Sequence, residues 1–220
     1  MSNNVMLVAS IPIGTAEDLG KVLKIEGVDL IELRVDYSDN PLAIDFSLVK
    51  DLPVIVTLRD AYEGGVKEHK DEVKLKLLSK LSKLGIMYDL EMKFVEKYGI
   101  NYENNIVSMH ILNTRGVDKE IIKSKVKKFS GKAFAVKIAT RPFPGYRTFL
   151  VELLELGNNI AVMPMDVDPV ERIAFALLGS KLLYCYTDKP TASGQPSCTE
   201  ASKVLSLVLN LRRRSNEYLL

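Results

Sequence analysis

The chain has 220 residues, 47% hydrophobic and 26% charged, enough for one well-buried core and too rich in Val, Ile and Leu for disorder. Its net charge of +2 supplies no strong field for nucleic acid or an anionic membrane. Met1 to Asn4 carries no basic region followed by a long apolar stretch, and apolar runs such as 173–178 fall far short of a membrane span, so a cytoplasmic globular protein is expected.

In chain order, a first β-rich run covers residues 6–10. Thr15 and Asp18 then resemble a capping arrangement, with Asp in place of the usual Glu or Gln, that opens a helix through Leu19 and Leu23. A second strand at 30–34 is followed by a short helical segment at 45–50. A third strand at 54–58 precedes Val73, Leu77, Leu81 and Leu84, a stripe at helical spacing. The fourth strand, 87–90, leads into another short helical segment at 91–98. The fifth, 106–110, leads to the stripe of Ile122, Val126 and Phe129, and the sixth is expected at 133–138. After the seventh, 160–163, Pro169 opens a stripe of Val170, Ile173, Ala174, Leu177 and Leu178. After the eighth, 182–186, Ala201, Val204, Leu205 and Val208 close the set.

Strands alternating with helices imply parallel pairing with right-handed crossovers, and eight repeats suggest a single (β/α)8 TIM barrel spanning residues 1–220. A doubly wound open sheet is the alternative. However, the first strand leads into Ser10-Ile11-Pro12-Ile13-Gly14, which lacks a glycine-rich phosphate fingerprint.

Polar residues fall at informative places on these strands. Period two puts Ile31, Leu33 and Val35 toward the outer helices, so Glu32 and Arg34 point into the barrel, either as a structural ion pair or as functional groups. Arg59 follows the third strand and precedes Glu63-Gly64-Gly65, a polar loop able to move over a site. His110 ends the fifth strand on the face of Ile106 and Ser108; taken alone it reads as a core histidine hydrogen-bonded to backbone. His69, inside the charged run 67–72, reads as a solvated helix-surface residue.

Lys137 sits in the apolar strand Ala133-Phe134-Ala135-Val136-Lys137-Ile138-Ala139. Apolar neighbours should favour a free amine, the form needed for a Schiff base, and Ala133 and Ala135 on its face leave room for a ligand. Thr191-Ala192-Ser193-Gly194-Gln195-Pro196 follows the eighth strand, and Arg172 opens the helix after the seventh, where it could meet an anionic group. Glu32, Arg34, Arg59, His110, Lys137 and Gln195 all fall at one barrel end, the end that carries active sites in this fold.

These residues resemble type I 3-dehydroquinate dehydratase, the Schiff-base-forming dehydratase of the shikimate pathway. The carriers are Glu32-Leu33-Arg34-Val35-Asp36, Arg59 with Glu63-Gly64-Gly65, His110, Lys137 and Ser193-Gly194-Gln195, in order along nearly the whole chain. The resemblance implies a homodimeric (β/α)8 barrel without metal or cofactor that eliminates water from 3-dehydroquinate to give 3-dehydroshikimate. It implies Lys137 as the Schiff-base lysine, His110 as general acid and base, and Glu63 as the group orienting His110. Ser10, Glu32, Arg34, Arg59, Arg172, Thr191 and Gln195 fall at substrate-binding positions. Thr191 stands where serine is common, Ser193 where proline is common, and the methionine matching the segment 163–166 is not assigned.

A Schiff-base aldolase or transaldolase would also use a barrel lysine, but no glycine-rich phosphate cradle follows strands seven and eight. A non-catalytic ligand-binding barrel is the second alternative. Cys185 and Cys198 are expected to be reduced and uninvolved, and Arg212-Arg213-Arg214 to be a solvated helix end.

Overall fold

The computed structural model describes the backbone of residues 5–217 and the side chains of 5–208, 210 and 211. The readings of Met1 to Asn4 and of the Arg212, Arg213 and Arg214 side chains lie outside the described residues. Eight strands follow one another: β1 (Met6–Pro12), β2 (Leu30–Arg34), β3 (Val54–Thr57), β4 (Met87–Glu91), β5 (Ile106–Ile111), β6 (Ala135–Thr140), β7 (Ile160–Pro164) and β8 (Leu182–Cys185). They form one parallel sheet in the order β7-β6-β5-β4-β3-β2-β1-β8. Between the two end strands, the Lys181 N–H donates to the Ile160 carbonyl at 2.8 Å, and the Ser180 hydroxyl accepts the Val162 N–H at 3.0 Å. The sheet thus nearly closes into the expected barrel.

Among the described residues lie seven α-helices: α1 (Leu19–Val22), α2 (Asp71–Leu84), α3 (Met92–Tyr98), α4 (Lys119–Ser130), α5 (Tyr146–Leu154), α6 (Pro169–Leu177) and α7 (Cys198–Glu217). Among the described residues no helix is long and apolar enough to cross a membrane. Period two in the strands divides the apolar side chains into two layers. Ile31, Leu33 and Val35 join the outer core beneath the helices, with Leu77, Leu81, Val126 and Phe129. Val8, Leu30, Ile55, Ile106, Ala135, Ala161 and Tyr184 fill the barrel interior. Each fully buried large side chain contributes about 1.5–3 kcal/mol.

Several local expectations shift. The sixth strand begins at Ala135, and Ala133 packs in the outer core rather than on the face of Lys137. α1 stops before Leu23, which is 64% exposed, although Asp18 Oδ2 does accept the N–H groups of Gly14 and Thr15. The segment at 45–50 is a 3₁₀ turn, Phe46–Val49, opened by Asp45. α5 fills the crossover for which no stripe was singled out, burying Tyr146, Phe149, Leu150 and Leu153. His69 lies before α2 in non-helical chain, and burial of its Nε2 replaces the expected solvation.

The two cysteines are not reduced spectators. Cys185 and Cys198 form a disulfide with Cα atoms 4.8 Å apart. The loop between them returns on itself: the Tyr186 N–H donates to the Pro196 carbonyl, and the Cys198 N–H donates to the Tyr186 carbonyl. That backbone pairing brings together two thiols separated by 13 positions.

Candidate active site

Polar side chains gather where the inner faces of β2 to β6 run toward the C-terminal barrel mouth. Glu32 does not pair with Arg34. Its Oε2 accepts the Ser10 hydroxyl at 2.5 Å, and its Oε1 accepts the Thr57 hydroxyl at 2.8 Å. Arg34 instead makes a two-pronged pair with the fully buried Asp36, at 2.7 and 2.8 Å. Asp36 Oδ2 also takes the Val66 N–H at 3.0 Å, which ties the end of β2 to the loop carrying Glu63.

Arg59 is sunk in acids. Its guanidinium reaches Glu91 at 2.9 Å, Asp89 at 2.8 Å and the Ser108 hydroxyl at 2.8 Å. Glu91 also receives the Asp60 N–H and the buried ammonium of Lys74. Burial disfavours the Arg59 charge, but Asp89 and Glu91 outweigh it and keep the guanidinium firmly protonated.

Lys137 is buried at 3% exposure, as its apolar strand implies, but its nitrogen is not walled in by apolar groups. Asp89 Oδ2 lies 2.5 Å from Nζ, and Glu32 Oε1 lies 3.7 Å away. The Tyr184 hydroxyl is at 3.5 Å, with its ring centroid at 4.5 Å. The expectation of nonpolar neighbours fails because β4 and β2 also project acids inward, which the composition of β6 cannot reveal. Burial pushes the Asp89 carboxyl up, yet Arg59 and Lys137 together hold it far below the ordinary carboxylate range.

Glu63 meets His110 through one oxygen. Oε2 accepts the His110 backbone N–H at 2.8 Å and lies 3.1 Å from ring Nδ1. Burial, only partly offset by Arg59, lifts the Glu63 carboxyl to about 7. Burial and then the Arg59 and Lys137 cations push His110 well below its usual value, which leaves the imidazole neutral at neutral pH. The loop reaches His110 because it folds tightly back on the end of β3. The N–H of Gly65 donates to the Asp60 carbonyl, and a Cβ at Gly65 would lie 2.1 Å from the Arg59 carbonyl oxygen.

Arg172 lies one turn into α6, opened by Asp168 capping the Val170 N–H with Pro169 in the first turn. It is buried, not a surface residue. Nε donates to the Pro164 carbonyl at 2.9 Å, and a terminal nitrogen donates to the Ser193 carbonyl. Asp166, which favours its charge, is in ion-pair contact with Arg141. Burial lowers Arg172 to about 10, leaving it charged at neutral pH, and among the described residues no carboxylate is in ion-pair contact with it. Gln195 Oε1 accepts the N–H groups of Thr191 and Ala192, and the Thr191 hydroxyl donates to Ser10. Gly194 permits this loop: its φ is +77°, and a Cβ there would meet the Val167 carbonyl oxygen at 2.7 Å.

Glu32, Arg34, Arg59, Glu63, His110, Lys137, Arg172, Thr191 and Gln195 line one pocket of about 300 Å³. Ser10 lies behind the wall, touching Glu32 and Thr191. Met163 and Met165 both line the pocket. Sequence reasoning missed Asp89, Glu91 and Tyr184. The alternation in Met87-Tyr88-Asp89-Leu90-Glu91 carried the same signal as Glu32 and Arg34.

Residues 5–143 match the family model of type I 3-dehydroquinase. The chain is 44% identical over 199 residues to a 3-dehydroquinate dehydratase of Saccharolobus solfataricus, covering 86% of this chain and 88% of that one. A 3-dehydroquinate dehydratase of Metallosphaera sedula is 39% identical over 205 residues, covering 93% and 98%. A solved type I 3-dehydroquinate dehydratase of Clostridium difficile, carrying covalently modified comenic acid, superposes with a TM-score of 0.71 at 25% identity, covering 93% of this chain and 92% of that one. The structure from Geobacillus kaustophilus shares the fold, with a TM-score of 0.70 at 19% identity, covering 94% and 92%.

Proposed function

The chain belongs to the type I 3-dehydroquinase family of hydro-lyases, and from that premise we propose that it removes water from 3-dehydroquinate through a Schiff base on Lys137. The supporting observation is a buried lysine nitrogen sharing a pocket with a neutral imidazole and with a buried cation, Arg172, that is bonded to the Pro164 and Ser193 carbonyls.

One proton leaves the Lys137 ammonium before it attacks, and His110, neutral in the empty site, is the base available for it. The amine adds to the substrate ketone, a C–N bond forms, and the His110 imidazolium returns its proton to the carbinolamine hydroxyl, which departs as water and leaves a cationic imine and a neutral His110. That nitrogen acidifies the neighbouring C–H bond. His110 removes this proton, the electron pair passes toward nitrogen, and the imidazolium returns the proton to the departing hydroxyl. Glu63 holds Nδ1, leaving Nε2 for the substrate, and balances the imidazolium charge. Arg172 offers its fork to the substrate carboxylate, and Glu32, Arg34 and Gln195 surround the ring hydroxyls. Hydrolysis of the product imine frees Lys137.

Arg59 enters this reading differently from the other arginines. Its nitrogens are committed to Asp89, Glu91 and Ser108, so it sets the field around Lys137 and His110 more than it offers donors to a ligand. A homodimer, implied by the resemblance, belongs to the same reading and is checked by sedimentation equilibrium.

The test is incubation with 3-dehydroquinate, followed by ultraviolet absorbance of the conjugated enone and borohydride trapping with peptide mapping. An enone signal with the adduct on Lys137 supports the reading, and an adduct on another lysine overturns the assignment. Lys137→Ala abolishes both signals. His110→Ala still forms the adduct but eliminates very slowly.

A further inference from the structure

Asp89 is the closest charged group to the nitrogen that the proposed reaction uses, at 2.5 Å from Lys137 Nζ. It is fully enclosed and cannot rotate away: Oδ1 receives the Ser108 hydroxyl at 2.5 Å and faces the Arg59 guanidinium at 2.8 Å. Other charged or titratable groups bear on Lys137 from neighbouring strands. They are Glu32 on β2, Arg59 after β3, His110 on β5 and Tyr184 on β8. Glu32 stands farther off and is bonded to Ser10 and Thr57, and Tyr184 is held neutral by its burial. Opposite β6, β7 offers only Ala161 in register with Lys137.

We propose that Asp89 is a catalytic residue, the fixed counterion that keeps the Lys137 nitrogen positively charged as ammonium in the resting site and as iminium in the covalent intermediate. The inference rests on the Schiff-base reading and adds a role that its Lys137, His110 and Glu63 do not supply. Asp89 is a poor proton acceptor because Arg59 and Lys137 hold its carboxylate ionised, so it does not act as the base. It acts on charge instead. A neutral imine is a weak electron sink, whereas an iminium held against a carboxylate stays protonated. When the enamine pair expels the hydroxyl, nitrogen regains its positive charge directly against Asp89. The same contact opposes the first step, because the resting ammonium must lose a proton before it attacks. Asp89 therefore trades slower addition for a protonated intermediate.

The experiment uses the full-length chain and Asp89→Asn, with 3-dehydroquinate as probe. Two pH profiles are recorded: borohydride-trapped adduct formation on Lys137, and single-turnover elimination from the adduct. An opposite charge in contact moves a titration by about 1–3 pH units. In Asp89→Asn the acid limb of adduct formation and the alkaline limb of elimination both move to lower pH by that amount. Profiles that keep their shape, unchanged or uniformly scaled, overturn the inference, because a purely structural role moves neither limb. Glu32→Gln shifts both limbs less; an equal or larger shift overturns the assignment to Asp89.

If Asp89→Asn does not fold, the parent protein carrying ¹⁵N at lysine Nζ decides. The chemical shift of the unreduced product imine stays at the protonated value up to about pH 9, and a fall to the neutral value at any lower pH refutes the counterion. Failure of the parent to form any Lys137 adduct refutes the Schiff-base reading itself and is seen before either variant is made.

Discussion

One carboxylate oxygen of Glu63 holds His110 at two points, its backbone N–H at 2.8 Å and ring Nδ1 at 3.1 Å. The ring is thereby fixed relative to its own strand, and the carboxyl that fixes it sits at about 7 instead of its ordinary 4.5. This relationship has a thermodynamic cost that can be measured.

Between pH 4.5 and about 7 the folded chain keeps a proton on Glu63 that the unfolded chain releases, so this group lowers stability as pH rises through that window. The full span corresponds to about 3 kcal/mol. His110 has the opposite sign. Its folded value lies below 6.5, so the unfolded chain takes up the proton first as pH falls, and stability drops on the acid side. Glu63→Gln removes only the first effect. The variant should gain on the parent in urea denaturation at about pH 8 and show little gain at about pH 4. An equal gain at both values would show that Glu63 carries no displaced titration. Turnover should fall in either case, because an amide does not balance an imidazolium.

Arg172 is a buried cation whose bonds go to the carbonyls of Pro164 and Ser193, in the pocket that contains Lys137. A substrate carboxylate would supply its missing counter-charge. A charge-assisted hydrogen bond contributes about 1.5–3 kcal/mol, so Arg172→Ala should raise KM by roughly 10- to 100-fold. The effect on kcat should be smaller, because the carboxylate is bound in the ground state as well. Arg172→Lys should recover only part of the loss, since an ammonium lacks the planar fork. A KM within twofold of the parent for Arg172→Ala would remove it from carboxylate recognition.

The barrel was legible because period two in the strands and helical spacing between them are local properties of the chain. Ile31, Leu33 and Val35 on one face and Glu32 and Arg34 on the other followed from alternation alone. α5 also carried its spacing, in Tyr146, Phe149, Leu150 and Leu153, but it begins after a glycine and offers no polar cap to draw attention. Pairings between strands were not legible. Arg34 pairs with Asp36 while Glu32 is taken by Ser10 and Thr57 from the neighbouring strands, and Lys137 meets Asp89 because the sheet aligns Ser108 with both Glu91 and Lys137. The disulfide was hidden for the same reason, since only the fold of the loop brings Cys185 to Cys198. His69 was misread because its neighbours in sequence are charged, while its Nε2 is buried by the chain around it.

The Cys185–Cys198 bridge spans 13 positions and clamps both ends of the loop that carries Thr191 and Gln195. Closing a loop of this size stabilises a fold by roughly 3 kcal/mol by restricting the unfolded chain. Cys198→Ser should lower the unfolding free energy by about 2–4 kcal/mol, and reduction of the parent with dithiothreitol should do the same. Both should raise KM more than they lower kcat, because Gln195 orders the loop through the Thr191 and Ala192 N–H groups. Equal denaturation midpoints with and without reductant would show that the bridge contributes nothing to the fold.

Gly65 decides whether Glu63 can reach His110. A Cβ at this position would sit 2.1 Å from the Arg59 carbonyl oxygen, a backbone atom that cannot swing aside. Gly65→Ala must therefore push the loop away from the end of β3. The cost falls on contacts the loop makes on either side of residue 65: the Glu63 carboxylate on His110 and the Val66 N–H on Asp36. Lys137 and Asp89 keep their places on their own strands, so the adduct on Lys137 should still form. Elimination should slow by roughly 10²-fold, the scale at which a misplaced general base fails. Gly65→Ser should behave in the same way, since any Cβ meets the same oxygen. If both variants eliminate as fast as the parent in a single turnover of the unreduced imine, the loop does not position His110, and Glu63 has no part in proton transfer.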